Sequence, residues 1–440
     1  MDTISRQAYT PAPELSFITK AARWTGIGLL RLVIILMVDL LALPVVLLPL
    51  ASSTPAPVWI LLVGLDLLLV AGWVKFGWRA KSMAVVLIGF LLVAAAAVVA
   101  SQVFASTPPI LGDDGKALPG SIASLEQVEL NGSQQWISIR GKDVGNPVLL
   151  FLAGGPGGSQ MTTARHELSA LEDHYIVVQW DQPGSGKSYN AVPKSMLTPE
   201  RYIEDGLALV KMLRQRFGVE KVTVVGESWG SVLGVWMVQR SPEMFEAFVG
   251  AAQMVDFDEN DLMCYEFALQ WAAERGDTRK IATLKAQGPP PYYGNDVAQK
   301  QLTYLADTFA YMNQDVNIIN GFNTPRDLGS PEYGLADKVA WALGPVFTLN
   351  AVYPQLWDVD LRAQAAELEV PVYFFTGRHD VNAPPALVEE YYQVLDAPHK
   401  EIVYFEHSGH NPWVSEADLF VEELLARVPR TSEAATAAVE

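Results

Sequence analysis

Val222 to Val225 form an apolar, strand-like run that leads directly into Gly226-Glu-Ser-Trp-Gly230, and a helix-like apolar stretch, 231–238, follows. A strand that turns at once into a helix restricts the chain to layered α/β architectures. The turn is tight, and Gly226 and Gly230 leave room where backbone is crowded. A serine at such a bend is held above the sheet, with the helix N-terminus aimed at negative charge developing beside it. Ser228 is therefore the first candidate nucleophile. The competing reading is a glycine-rich turn in an α/β domain with no chemistry attached.

The flanking sequence repeats the alternation. Residues 127–139 look extended, with Gly132 in a turn; 147–152 and 175–180 are short apolar strands. Residues 202–217 place Ile203, Leu207, Val210 and Leu213 on one side of a helix. Further strands are expected at 248–251, 370–376 and 400–405, with helices at 385–395 and 415–426. This rhythm predicts a parallel sheet with crossover helices. It breaks between 256 and 355, where aromatic, patchily helical sequence reads as a cap. These residues suit an apolar substrate groove, and a packed helical subdomain would need the same ones.

The first quarter of the chain has another character. Three apolar stretches, 24–50, 58–74 and 82–104, approach or exceed the length that crosses a hydrocarbon core. Arg6, Lys20 and Arg23 precede the first, no Lys or Arg lies in the first gap, and Lys75, Arg79 and Lys81 occupy the second. The positive-inside bias predicts a multi-pass cell-membrane segment with a cytoplasmic N-terminus and everything after residue 104 extracytoplasmic. Asp39 and Asp66 fall inside spans, where helix–helix packing is a better account than transport. The expected organisation is a membrane segment at 1–105, a linker at 106–120, core at 121–255, cap at 256–355 and core again at 356–440.

Charge narrows the partners. The chain carries 31 basic and 49 acidic side chains, a net charge of −18, and the acidic excess lies after residue 105. Nucleic-acid binding, which needs a basic surface, is thereby disfavoured. Gly184-Ser-Gly-Lys187-Ser188 superficially suggests a phosphate loop, but Asp181 stands where the pattern requires glycine, so no nucleotide is expected. No histidine–carboxylate cluster has metal-binding spacing, and neither metal nor cofactor is expected. The single cysteine, Cys264, excludes an intrachain disulfide.

A serine hydroxyl needs a base, and the base needs a group to orient it. Of six histidines, His410 lies in a Gly- and Pro-containing loop after the last strand, with His407 as its rival. Asp380 follows the strand 370–376 and is the candidate acid. Ser, Asp, His is the chain order expected of this architecture. The oxyanion requires two backbone donors. Trp229, after the nucleophile, supplies one; Gly155, in Ala153-Gly-Gly-Pro-Gly-Gly-Ser159, is the choice for the other, with Gly154 as the neighbouring register.

The Gly-Gly-Pro-Gly-Gly loop, the run from Trp180 to Ser188, Gly226-Glu-Ser-Trp-Gly-Ser231, and Gly377-Arg-His-Asp380 with His410 together resemble the α/β-hydrolase superfamily, and within it the proline iminopeptidase group. The resemblance covers the chain from about Glu126 onward. It implies an eight-strand α/β-hydrolase core with a helical cap, Ser228, Asp380 and His410 as a triad, and release of N-terminal residues from small peptides, with cap carboxylates holding the free amine. Glu259, Asp261, Glu266 and Glu274 are available for that role. Three positions depart from the group: Ala153 where it usually has His, Pro183 where it usually has Arg, and Glu227 where it often has Gly; the last two lie near the expected active-site rim and concern substrate. An esterase acting on small acyl esters and a non-catalytic membrane accessory protein are the alternatives.

Overall fold

The computed structural model describes residues 17–314, 318 and 322–429. Arg6 lies outside the described residues, as do the side chains of Lys20 and Arg23, so those charges are known from sequence alone. The chain divides into two units. One comprises residues up to Leu50 with Thr54–Ala100; the other comprises Ala51–Ser53 and everything from Ser101 onward.

The first unit holds three helices: α1 (Phe17–Ala51), α2 (Ala56–Phe76) and α3 (Ala80–Val103). Trp24–Ala51, Ala56–Phe76 and Ala80–Val103 are long and apolar enough to cross a membrane. Val38, Met83, Val86 and Phe90 form a small internal cluster, against which Leu69 and Trp73 pack. Most other large side chains point outward, as helices solvated by lipid require. Asp39 is exposed, whereas Asp66 Oδ1 is shielded and unpartnered among the described residues.

The second unit is built on an eight-stranded sheet. Its strands are β1 (Ile122–Leu130), β2 (Ser133–Gly141), β3 (Val148–Leu152), β4 (Ile176–Asp181), β5 (Val222–Glu227), β6 (Phe245–Ala251), β7 (Val372–Gly377) and β8 (Lys400–Phe405). Their order is β1-β2-β4-β3-β5-β6-β7-β8. The first two pairings are antiparallel, and every pairing from β4 to β8 is parallel. Asn131 (φ 46°) and Gly132 (φ 79°) make the two-residue turn between β1 and β2, both in the left-handed region that such hairpins need.

Helices cover both faces, so the central strands are apolar throughout rather than alternating. In β3, Val148, Leu150 and Leu152 enter one core and Leu149 and Phe151 the other. All five are fully buried, each larger side chain contributing about 1.5–3 kcal/mol of hydrophobic stabilisation. The crossover helix Pro199–Phe217 starts where Thr198 accepts from the Arg201 amide and stops at Gly218 (φ 67°).

Between β6 and β7 lies the helical cap, including Phe257–Glu274, Thr278–Gln287, Val297–Met312 and Leu335–Val352. Much of its aromatic content is spent on holding the cap together. Tyr292 meets Tyr304 and Trp357, and Tyr265 meets Tyr304 edge-on. The proline- and glycine-rich stretch before β1 is also anchored: Leu111 bridges Ala117, and Arg140 Nη1 donates to Thr107 Oγ1 and to the Pro108 carbonyl.

Candidate active site

β5 delivers Ser228 to its bend. The backbone there has φ 53° and ψ −119°, a region that non-glycine residues rarely occupy, and the helix Trp229–Arg240 begins at the next residue. A Cβ at Gly226 would overlap the Gly230 carbonyl, and one at Gly230 would overlap the Leu152 carbonyl. Both glycines are therefore required by close backbone approach. Trp229 stands in the first helical turn, where amides have no intrahelical acceptor.

Loops after β7 and β8 bring Asp380 and His410 together. His410 Nδ1 is 2.9 Å from Asp380 Oδ2, and both side chains are buried. Asp380 Oδ1 accepts from the amides of Asn382 and Ala383 at 2.7 and 2.8 Å. These donors hold the carboxylate with one oxygen facing the imidazole. With Nδ1–H donating to Asp380, Nε2 carries the lone pair, the tautomer a general base needs. Burial lowers the His410 pKa, but the charge and hydrogen bond of Asp380, with the charge of Glu227, outweigh it and raise the net value above 6.5.

Ser228, Trp229, Gly154, Gly155 and His410 all line one cavity of about 290 Å³ under the cap. Apolar side chains such as Met254, Phe257, Leu305, Phe309 and Leu349 form much of its wall. Among the described residues Ser228 Oγ makes no hydrogen bond; His410 Nε2 instead meets Asn382 Nδ2 at 3.1 Å. The Gly154 amide points to Gln160 Oε1 at 3.4 Å, which leaves Gly155 as the less committed donor of the pair. His407 is exposed and its backbone amide bonds Glu416; His379 is exposed beside the Glu406 carbonyl. Neither lines the cavity.

Of the four cap acids, the fold brings only Asp261 to the cavity. Its oxygens accept from Gln301, Tyr304 and Tyr353 at 2.8, 2.9 and 3.0 Å. Burial pushes its carboxyl up to about 6. Glu259 pairs with Arg362, and Glu266 and Glu274 are exposed. Three further residues were not singled out as site residues from sequence. Asn382 holds His410; Gln160 donates to Glu227 Oε2 at 2.8 Å; Gln182 links the Trp229 indole to the Ala153 carbonyl. Gln182 lies in the run from Trp180 to Ser188, but no local pattern gives any of the three its contact, since each acts across a long sequence separation.

The run from Asp181 to Ser188 is likewise accounted for by contacts within this unit. Lys187 Nζ is buried 2.6 Å from Asp337 Oδ2 and lies over the Trp136 ring. Asp181 accepts from the Lys187 amide and from Tyr333, and burial pushes its carboxyl up to about 7.

An eight-stranded sheet of this order, a serine on a strained strand–helix bend and a buried His–Asp pair define a serine hydrolase. The chain belongs to the alpha/beta hydrolase fold family, whose model matches residues 147–417. A probable aminopeptidase, YbaC of Bacillus subtilis, is 30% identical over 69% of this chain and 96% of its own length. A proline iminopeptidase of Heyndrickxia coagulans is 24% identical over 63% of this chain and 88% of its own. Among solved structures, the proline iminopeptidase of Mycobacterium smegmatis shares the fold with a TM-score of 0.51 at 20% identity, over 68% of this chain and 96% of that one. The three N-terminal helices precede the family match and support membrane association.

Proposed function

We propose that this protein is a membrane-anchored aminopeptidase of the proline iminopeptidase type, releasing N-terminal residues from small peptides. One observation carries the reading: the cavity at Ser228 is small, lies under the cap, and is lined by two buried carboxylates, Glu227 and Asp261. Buried carboxylates are costly unless a cation or donors compensate them. A free amine supplies that cation; a neutral ester does not. The similarity to YbaC, named as a probable aminopeptidase, points the same way.

In this mechanism Asn382 yields Nε2 of His410 to Ser228. His410 removes the hydroxyl proton as Oγ bonds to the scissile carbonyl carbon. Amides of Trp229 and Gly155 stabilise the oxyanion. His410 then protonates the leaving amine as the C–N bond breaks, and water hydrolyses the acyl-enzyme by the same route. Asp380 orients and stabilises the imidazolium throughout.

The test is hydrolysis by the full-length protein in detergent. Prolyl, alanyl and leucyl arylamides should be cleaved, their N-acetylated forms poorly, and Ser228→Ala should be inactive while remaining folded. The apolar cavity wall favours a second reading, an esterase of small acyl groups, for which neutral arylesters would exceed every free-amine substrate.

The charge pattern around the apolar helices supports a cytoplasmic N-terminus and an extracytoplasmic hydrolase unit. Labelling of single cysteines introduced at 56 and 116, both exposed, by an impermeant reagent on intact cells checks that topology; both positions should react.

A further inference from the structure

On that reading the substrate's amine needs a partner close to the reacting atoms. In an N-terminal residue the amine is bonded to the carbon next to the scissile carbonyl, so nitrogen and carbonyl carbon are only about 2.5 Å apart. Its anchor must therefore stand beside the nucleophile. Glu227 is the residue preceding Ser228, its side chain is 3% exposed, and it lines the same cavity. Its Oε2 accepts from Gln160 and lies against Gly154, where a Cβ would overlap it. Its Oε1 faces His410 Nε2 at 3.8 Å, beyond hydrogen-bond length, and among the described residues no donor is bonded to it. Asp261 differs, because three donors already occupy its two oxygens. Asn260 also lines the cavity, and its Nδ2 donates to the Asn382 carbonyl at 2.9 Å.

We infer that Glu227 is the specificity-determining residue for the substrate amine, its Oε1 accepting from the ammonium group of the residue being released. The proposal deepens the aminopeptidase reading by naming an anchor on the core strand rather than in the cap. An arriving ammonium offsets the burial of Glu227, which otherwise pushes its carboxyl up. It also adds the donors that Oε1 lacks. A substrate without the amine leaves Oε1 of this buried carboxylate without a donor, so selection against N-blocked and amine-free acyl groups follows from the same residue.

The experiment compares full-length wild type and Glu227→Gln in detergent on two arylesters, prolyl and cyclopentanecarbonyl, the second replacing the ring nitrogen by carbon. The readout is the ratio of kcat/KM for the two, so any general disturbance of Ser228 or the Gly154 loop cancels. Active enzyme is counted by fluorophosphonate labelling, and Glu227→Asp serves as a second variant. The expected result is a wild-type preference for the prolyl ester and a fall of about thirtyfold or more in the ratio for Glu227→Gln, the scale of one hydrogen bond to a charged group. Equal losses on both esters would overturn the inference while leaving the wild-type amine preference, and so the aminopeptidase reading, in place. A wild-type enzyme that does not prefer the prolyl ester would overturn both.

Discussion

Asn382 Nδ2 lies 3.1 Å from His410 Nε2, on the lone pair that must receive the serine proton. The resting site therefore holds its base through an amide rather than through Ser228. Replacing Asn382 by Ala removes that competing bond, whose net value is about 1 kcal/mol. The backbone amide of residue 382 remains to hold Asp380. We expect kcat/KM to stay within about fivefold of wild type, and steady-state kinetics will show it. A loss beyond a hundredfold would mean that Asn382 is required for turnover.

Asp380→Asn should cost about 10⁴ in kcat, because the amide no longer selects the Nδ1–H tautomer. The pH profile of wild type carries a separate expectation. Catalysis needs neutral His410, whose pKa is raised above 6.5, so the acid limb of kcat/KM should have its midpoint above that value. The stabilisation from protonated His410 runs the other way: it is full below 6.5 and disappears as pH climbs through the folded pKa. An acid limb centred well below 6.5 would contradict this electrostatic account.

Lys187→Ala leaves Asp337 buried without its ammonium partner. Breaking one side of such a pair costs about 3–5 kcal/mol, and the loss should appear as a lower midpoint in denaturant titration. Lys187→Met with Asp337→Leu should recover much of it, since no unpaired charge then remains. Unchanged stability in the single variant would show that water reaches Asp337.

Gly230→Ala places a methyl group against the Leu152 carbonyl, which is backbone and cannot step aside. Destabilisation of about 1–3 kcal/mol is expected, together with loss of fluorophosphonate labelling, because the bend at Ser228 must open. Full labelling at wild-type rate would show that the turn tolerates a Cβ.

Removing residues 1–100 deletes α1, α2 and all but the last three residues of α3, together with Ala51–Ser53 of the second unit. In detergent phase separation the full chain should enter the detergent phase and the shortened chain the aqueous phase. Co-partitioning of the two would assign membrane contact to the hydrolase unit itself.

Local physics was legible along the chain. Apolar runs of span length can only be helices in lipid, because every backbone polar group must be satisfied within the segment. The Val222–Val225 strand, its glycines and the apolar stretch after Trp229 announced the bend at Ser228, since crowding at a turn acts over a few residues. The same holds for the sheet's short apolar strands, where boundaries moved by only a few positions, as at β6, which begins at Phe245 rather than 248.

What only tertiary structure decided is which distant side chains meet. Asp261 was one of four equivalent cap acids until the cap's packing turned it inward and left Glu266 and Glu274 in solvent. Lys187 found Asp337 across 150 positions, and Glu227 came to face His410 because loops from β7 and β8 end over β5. Such pairings depend on the full path of the chain and on burial, which strengthens charge and hydrogen bonding by excluding water. Sequence determines which groups are present and the local bends that carry them; the folded sheet and cap determine their neighbours, and hence their chemistry.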